Sequence, residues 1–266
     1  MKKVIGIYRE SVLAGKPSSD QRIMDLTLQE LQNRGFEVKS VKVEDFDTRE
    51  DVQMILTMAR GEEINKILSS KKEEGVLILN DPLAIRFSFN RKGTCERLIE
   101  LNANVPSTKY VMLADLSMAD ITKKSILKPA NRHEFWFVVE NEEELGIAKD
   151  AYSKEGISEV IVQDFVVGDS VKYYCIDEEV LLPADIGVTY PNELIDQIRS
   201  QAVLSGRAIG LKIFGGDFIV STETAYCLDT NDWPSFGSVN GITQEESASK
   251  IADFAENEYS KKYVHE

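Results

Sequence analysis

Two carboxylates and one amide carry the clearest chemical signal in this chain. The pattern predicts a hairpin from Ile213 to Ser221 and from Ala225 to Asn231. Asp217 lies in its first strand. Asp229 and Asn231 lie two apart in its second, on one face, because side chains in a strand alternate with a period of two. Folding the hairpin back turns Asp217 toward that pair. Three hard oxygen donors then converge, which is the ligand type of a Mg²⁺ site completed by water and phosphate oxygens. The same residues also read as a polar strand end and an Asx turn before Trp233-Pro234. Spacing alone leaves both readings open.

Basic side chains recur at strand positions. Lys128 stands between Leu127 and Pro129 in a predicted strand from Ser125 to Pro129. A lysine in such apolar company offers a compact charge to a phosphate. Lys172, in the predicted strand Ser170 to Ile176, faces away from Val171 and Tyr173 by alternation. It reads equally as a surface lysine. Arg132 and His133 fall in the loop Ala130-Asn131-Arg132-His133-Glu134-Phe135-Trp136, where they offer side-chain donors or simply sit in a turn.

The elements that must position these groups follow from periodicity. Val4 to Tyr8 predicts a strand. Ser18 and Gln21 have capping-box spacing at the head of a helix that carries Met24, Leu28 and Leu31 on one face and ends at Gly35. Phe36 to Val43 predicts a second strand, residues 48 to 69 a helix, and Gly75 to Leu79 a third, wholly apolar strand. This alternation implies a small parallel sheet. Helices are expected at 91 to 103, from Asn141 to Ser153, from Asn192 to Arg207 and at 244 to 262. Further strands are expected at Glu134 to Glu140, Glu159 to Val167 and Glu179 to Ile186. Tight turns at Gly168-Asp169 and Asp177-Glu178 suit antiparallel pairing.

In this order the motifs resemble the ATP-grasp superfamily, over roughly residues 75 to 240. Gly-Gly-Asp-Phe-Ile and then Leu-Asp-Thr-Asn-Asp-Trp-Pro are similar to its closing metal motif, with Asp229 where many members have Glu. Asn80-Asp81-Pro82 and Phe89-Asn90-Arg91-Lys92-Gly93-Thr94 resemble the entry to its nucleotide domain, which implies that Lys92 approaches the phosphates. Val105-Pro106-Ser107-Thr108 resembles the step into its lid, and Ser125-Ile126-Leu127-Lys128-Pro129 the lid strand whose lysine grips ATP. Val162-Gln163-Asp164-Phe165-Val166 resembles the hinge that reads the adenine edge. The resemblance thus implies nucleotide contacts from Gln163, Asp164, Phe165 and Val166, and places Asp169 on the ribose. It further implies an α/β fold with an α+β core. A small parallel N-terminal domain spans 1–84, a linker and first helix 85–106, a mobile lid 107–166, and an antiparallel nucleotide and metal domain 167–266. The lid loop departs from the usual pattern, for it has no glycine.

The implied activity is that of an ATP- and Mg²⁺-dependent ligase, with Mn²⁺ substituting, which joins a small-molecule or peptide carboxylate to an amine through an acylphosphate. The peptide-forming relatives carry an arginine where this chain has Gly215, so Lys172 or Arg207 is expected to take its part. The run Ile209 to Asp217, with Arg132, His133 and Lys172, also resembles the inositol polyphosphate kinases. A nucleotide-binding protein with degenerate catalysis is the third reading, motivated by the loop without glycine. The first loop, Arg9-Glu10-Ser11 with Lys16, offers polar groups to a carboxylate.

Composition sets the outer bounds. The chain has 266 residues, and 31 basic against 45 acidic side chains give a net charge of −14. A nucleic-acid partner is not expected from so acidic a chain, and few basic clusters near the site count against a densely anionic acceptor. No apolar run nears the roughly 18 to 20 residues of a membrane helix, and the N-terminus is too short in apolar residues for a signal segment. Cys95, Cys175 and Cys227 form no CxxC pair, which suits a reducing cytoplasm rather than zinc or a disulfide framework. No membrane partner is expected, and a homodimer is compatible with the sequence, which does not itself specify an oligomeric state.

Overall fold

The computed structural model describes residues 2–10, 19–131 and 135–264. Ser11, Lys16, Ser18, Arg132 and His133 therefore lie outside the described residues, and with them the expected capping box, the far part of the first loop and both lid-loop donors.

Three four-stranded sheets follow one another along the chain. The first is parallel. Its strands are β1 (Lys3–Ile7), β2 (Glu37–Val41), β3 (Met54–Thr57) and β4 (Leu77–Leu79), in the order β2-β1-β3-β4. Helices α1 (Ser19–Asn33) and α2 (Glu62–Glu73) make the crossovers. Gly35, at φ +85°, stops the chain after α1 in a conformation that side chains with a Cβ avoid. The expected helix over 48 to 69 is corrected here. Met54-Ile55-Leu56-Thr57 is a strand buried at every position, and the helix starts only after Gly61. A strand covered on both faces shows no alternation, so its apolar run is indistinguishable by periodicity from a buried helix segment.

Two short helices, α3 (Pro82–Ser88) and α4 (Arg91–Glu100), lead out of this sheet. Asp81 caps the first through Leu83 N–H, and Asn90 caps the second through Gly93 N–H. The second sheet is antiparallel and holds β5 (Thr108–Met112), β6 (Ser125–Pro129), β7 (Phe137–Val139) and β8 (Glu159–Asp164), in the order β5-β8-β6-β7. Helix α5 (Glu142–Lys154) covers one face and packs Leu145, Ala148 and Tyr152 against Leu127, Val160 and Val162.

The third sheet holds β9 (Asp169–Ile176), β10 (Glu179–Leu181), β11 (Ile213–Val220) and β12 (Ala225–Asp232), in the order β10-β9-β11-β12. The strand expected to reach Ile186 stops at Leu181. Pro183 follows, which has no N–H for a ladder, and the short helix α6 (Ile186–Thr189) comes next. Helix α7 (Asn192–Ile209) packs on one face of this sheet. Helix α8 (Gln244–Tyr263) crosses back to α1, so that Ile251, Ala255 and Tyr259 share a core with Met24, Leu31 and Phe36. The end of the chain thereby closes the layer that its beginning opened. Asn80 stitches the first sheet to the third: its side chain accepts from the N–H groups of Lys212 and Ile213 and donates to the Ile213 carbonyl. Among the described residues no helix is long and apolar enough to cross a membrane, and the three cysteines are buried thiols.

Candidate functional site between two sheets

A cleft of about 680 Å³ opens between the second and third sheets. Lys128 and Ile126 line it from β6, Asp217 and Ile219 from β11, and Leu228 and Asp229 from β12. The segment 164 to 168, which joins the sheets, forms its back. Exposed Trp136 lies at its lip.

The acidic side is set by strand register. Asp217 pairs directly with Asp229 across β11 and β12 and with Lys172 across β11 and β9. Asp229 Oδ1 accepts from the Thr230 N–H, and its Oδ2 accepts from Asn231 Nδ2 at 2.8 Å. Lys172 Nζ lies 3.0 Å from Asp217 Oδ1. Gly216 permits the close strand approach: a Cβ there would stand 2.0 Å from the Asp229 carbonyl oxygen. Two carboxylates and one amide oxygen on a single strand pair are the hard donors that Mg²⁺ prefers. The ammonium already seated on Asp217 shows that this carboxylate accepts a cation. The donor set fits a divalent ion whose other ligands are water and phosphate. Among the described residues no three His, Cys, Asp or Glu side chains form a cage, so such an ion depends on ligands from outside the chain.

The basic side is half-buried. Lys128 Nζ donates to Gln163 Oε1 at 2.7 Å, and Gln163 Nε2 donates to Thr108 Oγ1. Burial, and after it the charge of Arg91, pull the Lys128 pKa down to about 8, while Asp229 opposes the shift. Burial also lowers the Arg91 pKa. Arg91 lines the cleft together with Lys128 and Asp229.

Several expected positions are corrected by this geometry. Lys92 turns away from the cleft, onto Glu159 at 2.6 Å and over the Tyr110 ring. Its neighbour Arg91 takes the seat instead, because adjacent residues of a helix point about 100° apart. Arg207 lies on the outer face of α7 and pairs with Glu178. It does not line the cleft, and therefore cannot stand in for the arginine replaced by Gly215. Asp169 lines a separate cavity, where it accepts from the Tyr190 hydroxyl, and Ser170 is the residue of that turn on the cleft. Gln163 is buried behind the cleft, holding Lys128 rather than facing a base. The Asp164 and Phe165 N–H groups are engaged by the Ser107 and Lys124 carbonyls. Those two N–H groups are therefore not open to a ligand at this segment. In the first loop, Glu10 accepts from the Arg60 and Gly61 N–H groups, and Arg9 donates to the Trp233 carbonyl.

Sequence reasoning did not single out Arg91, Trp136 or Ser170. The one available signal was for Arg91, which follows the N-cap residue Asn90 and so competes with Lys92 for the same helix start.

Solved structures share this arrangement of sheets across almost the whole chain. The D-alanine–D-alanine ligase of Bacillus anthracis complexed with ATP superposes with a TM-score of 0.75 at 13% identity, over 98% of each chain. A second structure of that ligase gives 0.76 at 13% identity, again over 98% of each. A RimK domain ATP-grasp protein of Sphaerobacter thermophilus gives 0.70 at 16% identity, over 94% of this chain and 98% of its own. The chain has the ATP-grasp fold. No family model matches its sequence, and no curated protein does. The ATP-grasp architecture is thus carried here by a sequence only 13–16% identical to these structural neighbours.

Proposed function

We propose that this protein is an ATP- and Mg²⁺-dependent ligase that joins a carboxylate to an amine. The observation that carries the reading is the cleft itself, with Lys128 and Arg91 on one wall and the Asp217–Asp229 pair on the other. Half-buried cations and a carboxylate pair for a divalent ion, facing each other across a cleft, are what a triphosphate requires. The structural likeness to a D-alanine–D-alanine ligase complexed with ATP supports the same reading.

In the proposed reaction a substrate carboxylate oxygen attacks the γ-phosphorus. The bond from that phosphorus to the bridging oxygen breaks, and ADP leaves. The amine nitrogen then attacks the acyl carbon of the acylphosphate and loses a proton to solvent, and inorganic phosphate departs. Bound Mg²⁺ supplies charge neutralisation at the phosphates, held by Asp217, Asp229 and Asn231. Lys128 and Arg91 hold the phosphates from the other wall and exclude water from them. Lys172, beside Asp217, would meet a phosphoryl group transferred there.

ADP release from Mg·ATP tests the reading. Turnover that needs both a carboxylate and an amine is expected. Turnover with a polyol phosphate alone would make the protein a kinase. ATP binding without release for any acceptor would make it a nucleotide-binding protein.

A further inference from the structure

A second cavity, of about 350 Å³, lies at the edge of β9 beside the cleft. Strand β10 pairs only with residues 174 to 176 of β9, so residues 169 to 173 form an open edge. The segment 183 to 190 and residues 238 to 240 complete the walls. Ser170 lines both the cavity and the cleft. Lys172 lines the cavity while its ammonium rests on Asp217 of the cleft. The cavity is therefore next to the predicted phosphate end and large enough for a molecule of about a dozen heavy atoms, at roughly 30 Å³ each.

Its charges are unbalanced. Asp169 accepts the Tyr190 hydroxyl, a neutral partner. Asp185 makes no capping bond to the short helix that follows it. Lys172 is the only cation in the lining, and its charge is taken, by Asp217 or by a phosphate. Ser238 is fixed by the Tyr174 hydroxyl, which both pairs with its Oγ at 2.8 Å and accepts its N–H. The lining thus presents two uncompensated carboxylates with neutral hydroxyls and amides around them. A densely anionic acceptor meets repulsion there. A zwitterionic amino acid finds a place for its ammonium and no cation for its carboxylate.

We propose that this cavity is the amine pocket and that it takes a cationic amine without a neighbouring carboxylate, of the alkyl diamine class. The proposal rests on the ligase reading for its role, and on the cavity's own chemistry for its ligand. One ammonium is held by Asp185 and Asp169, and the other nitrogen points past Ser170 toward the cleft.

Calorimetric titration of 1,4-diaminobutane, with and without Mg²⁺ and a nonhydrolysable ATP analogue, tests it, with alanine and glycerol 3-phosphate as comparators. Diamine binding is expected, with both comparators at least about ten-fold weaker. Asp185→Asn should weaken the diamine by about ten-fold and leave the analogue's affinity unchanged. Asp185 is exposed and caps nothing, so this variant should fold normally. Alanine binding as tightly as the diamine would overturn the proposal. So would an unchanged diamine affinity in both Asp185→Asn and Asp169→Asn. If the analogue binds and no diamine does, the pocket assignment fails and the ligase reading stands. If the diamine binds and the analogue does not, the ligase reading fails while the cation site holds.

Discussion

Lys172 stands opposite Asp217 in the β9–β11 register, and its Nζ contacts both oxygens of that carboxylate, at 3.0 and 3.1 Å. An ammonium and a divalent ion compete for one carboxylate when both use the same lone pairs. Lys172→Met keeps the apolar stem and removes the competitor. The variant is expected to bind Mn²⁺ a few-fold more tightly than the parent in the absence of nucleotide, and to turn over more slowly. Paramagnetic titration measures the first effect and ADP release the second. Weaker Mn²⁺ binding in the variant would mean that Lys172 organises Asp217 rather than competing for it.

On the proposed function, Lys128 should make nucleotide affinity depend on pH. Burial sets its pKa near 8. It is therefore about nine-tenths charged at pH 7 and about one-tenth charged at pH 9. A bound phosphate stabilises the charged form, so affinity for an ATP analogue should fall by up to about ten-fold between those values. Lys128→Met should bind weakly and lose this dependence. Stability runs the other way. The unfolded chain holds this proton up to the ordinary lysine range and the folded chain releases it near 8. The burial penalty is thus present below pH 8 and disappears as pH rises through 8 to 10.5. Calorimetry at the two pH values, with denaturation curves beside it, checks both signs.

Asp229→Ala removes a predicted metal ligand at a partly buried strand position, and with it the bonds to Thr230 N–H and Asn231. Mg²⁺-dependent ADP release should be abolished while the protein remains folded, with a loss of about 1 to 2 kcal/mol for the two hydrogen bonds. Parent rates in magnesium would remove Asp229 from the site.

Much of this arrangement is readable in the sequence because it depends on strand period and local turns. Asp217, Asp229 and Asn231 come together through one hairpin, and strand period puts Asp229 and Asn231 on one face, but the direct pairing of Asp217 with Asp229 needs a one-residue register shift between Asp217 and Phe218 that the period does not announce. The fully buried strand Met54–Thr57 escapes that logic, since nothing in an apolar run announces its period. Lys92 and Arg91 show a different limit. A helix start fixes which turn faces the cleft, but not which of two adjacent cations does. Arg207 shows a third. Its helix is legible, but the face that meets the sheet is chosen by packing, with Gly206 seated so close that a Cβ there would stand 2.2 Å from the Phe214 ring. Arg207 is left on the opposite side, with Glu178.

Gly216→Ala tests the strand approach that aligns the proposed metal ligands. The added Cβ would meet the Asp229 carbonyl oxygen at 2.0 Å and the Tyr173 ring at 3.0 Å. Backbone on one side cannot yield as a flexible side chain would, so β12 must shift. A loss of at least about 1 to 3 kcal/mol is expected, together with loss of divalent-ion binding. Parent-like Mn²⁺ affinity in a destabilised variant would separate the packing effect from the site.

Asp232 stands next to Asn231 at the end of β12. Its carboxylate is 1% exposed. Arg60 holds it from the loop after β3, with Nη2 2.7 Å from Oδ1 and Nε 3.2 Å from Oδ2. Arg9, from the loop after β1, brings Nη2 within 3.7 Å of Oδ2. The parallel sheet and β12 are thus joined by one carboxylate and two guanidiniums. Removing one partner of a buried ion pair costs about 3 to 5 kcal/mol, because the other charge is left uncompensated. Here both arginines reach water, which screens them and reduces the loss to roughly 1 to 3 kcal/mol. Asp232→Asn should show that loss in denaturant unfolding. Arg60→Met alone should cost less, since Arg9 remains on the carboxylate. The double variant should be more stable than the sum of the two single losses implies, because the second substitution removes a charge that the first had stranded. Strict additivity would mean that Arg60 and Asp232 contribute independently.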